Sequence, residues 1–339
     1  MQTIPTQAAI DELARLAGSA RRVLITGPKD VDGDSIGSAL ALARVLGART
    51  GAGIVVAGEC GWRYAELPGA ATCVANEAVE GPFDLAIVLD GDRRRLDELL
   101  VPFFDAATHT VVIDHHPSTT GQGHSLALLD YGAAATAEIV WRVLEAWGTA
   151  LDAPLAQLLY TGIIYDTGGL KHSNTTAATL RFAARLLDAG AEHNRVVVRT
   201  TCERRPGGLR AFGQVLANVR MVHGDRISVG VVRRALFEHE VPGPGDLDFL
   251  VDQILYVVGV EIAILAVERP GAGGQEVKLS LRSRGRVDVG ALAHRLHETG
   301  GGHMRAAGVV LHGEIDRLLD EVVLPQVVAA LEAPAPNTP

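Results

Sequence analysis

The sequence predicts an α/β fold whose first domain is carried by a largely parallel sheet. Short β-branched runs alternate with helix-length apolar periodicity through the first 200 residues, the pattern of βαβ units. Three of the four runs also lead into segments bearing acids or histidines, as expected where an open parallel sheet delivers its loops to one edge. With roughly 100–200 residues per domain, the 339-residue chain has room for two domains. Its 47% hydrophobic content supplies their cores and excludes a wholly disordered chain.

In chain order, the first strand is expected at 22–26, leading into Gly27-Pro28-Lys29-Asp30-Val31-Asp32-Gly33-Asp34. A helix at 35–46, small or apolar on every side, follows it, and further strands fall at 53–57, 84–89 and 110–113. Helical patterns at 94–104, 135–147, 155–164, 176–188 and 192–200 complete a domain spanning 1–200. The stretch ERRPGG at 203–208 reads as a hinge, and a helix at 209–219 occupies a linker spanning 201–225. A second, smaller α/β domain is expected at 226–331, with strands at 227–232, 257–267 and 276–282 and a Pro/Gly-rich loop at 241–245. The tail, 332–339, has the composition of a disordered segment.

A net charge of -9 argues against gripping long nucleic acid by phosphate neutralisation, yet permits a small anionic substrate. Cys60, Cys73 and Cys202 are odd in number and lack metal-type spacing, which fits buried thiols in a reducing cytoplasm. The longest apolar run, 254–267, is too short for a membrane span and contains Glu261, so a soluble protein is expected.

The strand at 84–89 ends on Asp90, and that at 110–113 ends on Asp114-His115-His116. Carboxylates brought to one sheet edge beside imidazoles repel one another unless divalent cations compensate them. Each has a simpler structural reading. Asp34 could be only the N-cap of the helix that follows, whereas adjacent histidines make poor core residues and Asp114 could orient one ring. Asp166, in a segment running from Gly162 to Thr176, follows an apolar helix and precedes two glycines that admit a ligand. Ser173, Asn174 and Thr175 there read as a helix start.

Taken in order, Asp32-Gly33-Asp34 with Ile36-Gly37-Ser38, then Asp90, Asp114-His115-His116, and Gly162-x-x-x-Asp166-Thr167-Gly168 with Ser173-Asn174-Thr175-Thr176 resemble the four motifs of the DHH phosphoesterases. Lys278-x-Ser280-Leu281-Arg282-Ser283 and Gly300-Gly301-Gly302-His303-x-x-Ala306-Ala307-Gly308 resemble the DHH-associated C-terminal domain of the nanoRNase branch. The resemblance implies a RecJ-like DHH domain, a substrate-binding domain and an active site in the cleft between them. It also implies two divalent metal ions, usually manganese, with Asp90 shared between them. Asp32 would serve the first ion, and Asp34, His115 and Asp166 the second. Asp90 and His116 would be catalytic, His116 at the substrate phosphate, while Arg282, Ser283, Gly301, Gly302 and His303 would bind the nucleotide end.

Two positions depart from the family pattern. Pro28 stands where the first motif has histidine, leaving three readings: Asp30 replaces it, the Lys29 ammonium lies where a cation is expected, or the first site binds metal weakly. Thr119 stands where asparagine is usual. The resemblance implies hydrolysis of short oligoribonucleotides to 5'-mononucleotides, of 3'-phosphoadenosine 5'-phosphate to AMP, or of linear dinucleotides, by a cytoplasmic homodimer with no long-duplex or membrane partner. The alternatives are a non-catalytic nucleotide sensor, favoured by Pro28, and an inorganic pyrophosphatase or exopolyphosphatase.

Overall fold

The protein is described here by a computed structural model covering residues 4–234, 245–271 and 274–333. The chain divides into two compact units, Met1–Glu203 and Arg204–Pro339. In the first, strands β1 (Arg22–Thr26), β2 (Gly53–Val56), β3 (Leu85–Leu89), β4 (His109–Asp114) and β5 (Leu126–Leu129) form a sheet in the order β2-β1-β3-β4-β5. Every pairing is parallel. Its helices are α1 (Gln7–Ser19), α2 (Gly33–Thr50), α3 (Gly61–Tyr64), α4 (Val101–Asp105), α5 (Thr136–Ala146), α6 (Ala153–Asp166), α7 (Ala177–Asp188) and α8 (His193–Val197).

The two-residue period of a strand divides this core. Leu85, Ile87 and Leu89 of β3 face the cluster built with α1, α2, α5 and α6, while Ala86 and Val88 face a smaller one containing Phe83, Leu100 and Phe104. A strand covered on both faces must be apolar throughout, and all five residues of β3 are buried. Helix α2 is buried from Gly33 to Leu42, which explains its small and apolar residues on every side. It lies so close to α6 that a Cβ on Gly37 would come within 2.5 Å of the Leu158 carbonyl oxygen.

Several sequence expectations need correction. Helix α1 and strand β5 were not foreseen. The helix expected at 94–104 is a short 3-10 turn at Arg93–Arg95 followed by α4. Pro102 has no N–H to donate and is tolerated in a first helical turn, so the helix starts beside it instead of running through. The helix expected at 192–200 is α8 followed by a wide turn, Val198–Cys202. Cys60 and Cys73 are half-buried with sulfurs 2.9 Å apart, and Cys202 is exposed, so the three are not uniformly buried thiols.

The second unit holds β6 (Arg220–Val222), β7 (Ile227–Val232), β8 (Ile262–Gly271), β9 (Gly274–Ser283), β10 (Gly301–His303) and β11 (Ala306–His312), ordered β10-β11-β9-β8-β7-β6. Only β7 and β8 pair in parallel. Its helices are α9 (Pro206–Ala217), α10 (Leu250–Leu255), α11 (Val289–Leu296), α12 (Ile315–Arg317) and α13 (Leu324–Glu332). Pro206 opens α9, so only the first part of the expected hinge is non-helical. Val215 of α9 packs with Val232, Leu250 and Ile254, which makes this helix part of the second core. The strand expected from 257 starts at Ile262, because α10 is followed by a turn in which Gly259 has φ 89°. Residues 241–244 of the expected Pro/Gly-rich loop, and 334–339 of the expected tail, lie outside the described residues. Among the described residues no helix is long and apolar enough to cross a membrane.

Candidate metal centre and active site

Three parallel strands and one helix deliver the candidate residues. Beyond β1, Asp32 is the N-cap of α2. Its carboxylate accepts the N–H groups of Asp34 at 3.1 Å and Ser35 at 2.9 Å, and the Ser35 hydroxyl accepts the Asp32 N–H at 2.9 Å. The capping role considered for Asp34 thus falls to Asp32. Asp34 is fully buried and turned toward the start of α5. There its Oδ2 accepts the Thr136 N–H at 2.6 Å, while Oδ1 accepts the Ala137 N–H at 3.0 Å and the Ser38 hydroxyl at 3.1 Å. Gly162 makes room for this carboxylate: a Cβ there would lie 2.5 Å from Asp34 Oδ1.

Asp90 follows β3 in the left-handed region, φ 60°, a conformation uncommon outside glycine. Its N–H continues the sheet to the Ile113 carbonyl at 3.0 Å, and its Oδ1 accepts the Thr136 hydroxyl at 3.2 Å. Asp114 ends β4 wholly buried. One of its oxygens accepts the N–H of His115 at 2.8 Å, the N–H of His116 at 3.1 Å and Nδ1–H of His116 at 2.8 Å. The other accepts the Thr119 hydroxyl, and Tyr131 donates to the Thr119 carbonyl at 2.6 Å. Thr119 therefore braces Asp114. Burial opposes ionisation of Asp114, but the His116 charge and the hydrogen bonds from His116 and Thr119 outweigh it and hold this carboxyl below the usual carboxylate range.

The buried His115 ring donates Nδ1–H to the Ala133 carbonyl at 3.1 Å, a tautomer assignment that turns Nε2 toward the acids. Nε2 is 2.9 Å from Asp166 Oδ2 and 3.5 Å from Asp90 Oδ1. Asp34, Asp90, His115 and Asp166 each place one ligand atom within 4.8 Å of the others, and Asp90, Asp114, His115 and His116 form a second such group. Burial, followed by repulsion from neighbouring acids, pushes the carboxyls of Asp32 and Asp34 well above their ordinary value. Burial alone would lower His115, but its contacts with Asp166 and Asp90 outweigh this and raise it. Crowded acids that resist ionisation, together with one imidazole and no thiolate, form a donor set that fits a hard or borderline divalent cation.

Asp32 stands outside both groups, although Asp90 and Asp166 are close enough to raise it. Lys29 and Asp30 are exposed, and among the described residues Asp30 joins no such ligand group. In the second unit, Arg282 contacts buried Asp252 of α10 at 3.1 Å. Buried Ser283 accepts the Gly285 N–H at 3.0 Å. Gly301, Gly302 and His303 form β10. Gly302, at φ 141°, approaches β11 so closely that a Cβ would lie 2.4 Å from the Ala306 carbonyl oxygen. Thr136, Ala137 and the Ala133 carbonyl join the site without having been singled out in the sequence. The signal available was the small-residue run Gly132-Ala133-Ala134-Ala135 directly before a helix.

Comparison with known proteins agrees with this arrangement. Residues 22–163 match the model of the DHH family, N-terminal domain, and residues 229–324 match the DHHA1 domain. The bifunctional oligoribonuclease and PAP phosphatase NrnA of Thermus thermophilus is 31% identical over 307 residues, covering 87% of this chain and 86% of that protein. The NrnA of Bacillus subtilis is 26% identical over 255 residues, covering 74% and 77%. A crystal structure of an exopolyphosphatase-related protein from Bacteroides fragilis shares the fold, with a TM-score of 0.78, 22% identity and 98% coverage of both chains.

Proposed function

Because the chain belongs to the DHH family of phosphoester hydrolases, we propose that it hydrolyses short oligoribonucleotides to 5'-mononucleotides, and 3'-phosphoadenosine 5'-phosphate to AMP. The reaction uses two divalent cations, with manganese preferred. The observation that carries this reading is the gathering of Asp34, Asp90, His115 and Asp166 ligand atoms within 4.8 Å. The two bifunctional relatives support the substrate class.

In this reading Asp90 is the shared ligand, Asp34, His115 and Asp166 hold the second cation, and Asp32 serves the first. A bound cation pair supplies an activated water for in-line attack and neutralises phosphate oxygens. The protein's part is orientation. Amides and hydroxyls fix Asp34 and Asp90, and the Ala133 carbonyl fixes the His115 tautomer. Asp114 holds the His116 ring through Nδ1 so that, when protonated, its other nitrogen donates to a phosphate oxygen as charge develops. His303 and Arg282 recognise the nucleotide end. With Pro28 in place of histidine, the first cation has fewer protein ligands and binds more weakly than the second. Family resemblance supports a homodimer, and the odd cysteine count supports a cytoplasmic setting.

Pro28 favours one competing reading, a nucleotide sensor that binds without turnover. Purified protein with manganese, offered a diribonucleotide, 3'-phosphoadenosine 5'-phosphate and pyrophosphate, separates them. Release of mononucleotide from the first two substrates is expected. Release only from pyrophosphate rejects the nucleotide reading, and binding without turnover selects the sensor.

A further inference from the structure

The first residue of α5 touches two of the acids at once. Thr136 donates its N–H to Asp34 at 2.6 Å and its hydroxyl to Asp90 at 3.2 Å. A threonine at a helix start ordinarily caps its own helix. Here Ala135 is the N-cap with no side-chain cap bond, and the wholly buried Thr136 hydroxyl is directed to Asp90 instead. Asp34 Oδ1 accepts two hydrogen bonds, from Ala137 and Ser38. Oδ2 accepts one.

We propose that Thr136 is a positioning residue that sets the spacing of Asp34 and Asp90, two of the acids that would hold a divalent cation. This rests on the cation-dependent reading above and deepens it, because the affinity of the site then depends on a hydroxyl that never touches the cation.

Thr136→Val keeps the shape and the backbone N–H but removes the hydroxyl, Thr136→Ser restores it, and Thr136→Ala is a smaller hydroxyl-free variant should the valine fail to fold. Manganese affinity of metal-stripped protein is read by titration calorimetry, with thermal unfolding of the metal-free variants in parallel. The hydroxyl-free variants are expected to bind manganese about tenfold or more weakly, the usual effect of losing a partner behind a ligand. Thr136→Ser is expected to stay near the parent. Affinity in Thr136→Val or Thr136→Ala equal to the parent's, while Asp90→Ala loses binding, overturns the positioning role and leaves the proposed function standing. Equal binding by the parent and Asp90→Ala overturns the centre itself, and this inference with it.

Discussion

Strand β3 has an aspartate at each end, and the two differ in everything but residue type. Asp84, just before the strand, is surface-accessible and accepts the Arg21 and Arg22 N–H groups at 2.7 and 2.9 Å. These bonds, Arg22 foremost, hold its carboxyl below the ordinary range. Asp90, just after the strand, is buried, left-handed and within 3.5 Å of both His115 and His116. Parallel pairing accounts for the contrast. It brings the carboxyl ends of β1, β3 and β4 to one edge, so Asp90 meets the imidazoles of β4, whereas Asp84, at the opposite edge, meets the backbone N–H groups that open β1. An acid beside a strand says little by itself; the edge on which it lies decides its chemistry.

Asp90→Ala breaks the comparison most sharply. It is expected to lower mononucleotide release by at least about 1,000-fold, on the scale of removing a central catalytic group. Parent-level turnover in that variant would sink the site assignment. Gly162→Ala tests the same edge from behind, since the new methyl would press on Asp34 Oδ1 and on the Ala137 Cβ 2.9 Å away. A loss of about 1–3 kcal/mol in urea unfolding is expected, together with weaker manganese binding. Unchanged stability would contradict the packing described for α2, α5 and α6.

The second unit offers a similar pair. Arg282→Ala removes the 3.1 Å contact to buried Asp252, so a loss of about 1–3 kcal/mol is expected in unfolding without substrate. His303→Ala, by contrast, is expected to raise KM for a diribonucleotide with little change in kcat; equal effects on both would assign it to the chemical step. The smallest effect belongs to Asp84→Asn. A folded-state pKa depressed below the unfolded value of about 3.9 contributes stability above that pH, lost as pH falls through the folded value. The variant should flatten the acid limb of the stability curve below about pH 4 and leave neutral-pH activity unchanged. A matching activity loss would mean that Asp84 is more than a backbone acceptor.

Residues whose chemistry is carried by type and order were legible in the sequence. Strands β1, β3 and β4 announced themselves by β-branched runs leading into acids or histidines, and Asp34, Asp90, His115 and Asp166 place ligand atoms within 4.8 Å of one another. What stayed hidden depends on tertiary contact. Strand β5, Leu-Ala-Leu-Leu, has no alternation to distinguish it from a buried helical turn. Thr136 reads as an ordinary helix start until α2 is packed against it. Neither the buried carboxylate that α10 sets beside Arg282 nor the pairing of the glycines before His303 with β11 is written in the local sequence.

We propose that the acids and imidazole at the strand ends form a cation-dependent hydrolytic centre. The most direct test strips the protein of metal with a chelator and follows 5'-mononucleotide release from a diribonucleotide as manganese is returned stepwise. No release without cation, and recovery that saturates as manganese is restored, is the predicted result. Full release in the chelated protein, unaltered by manganese, would contradict the account.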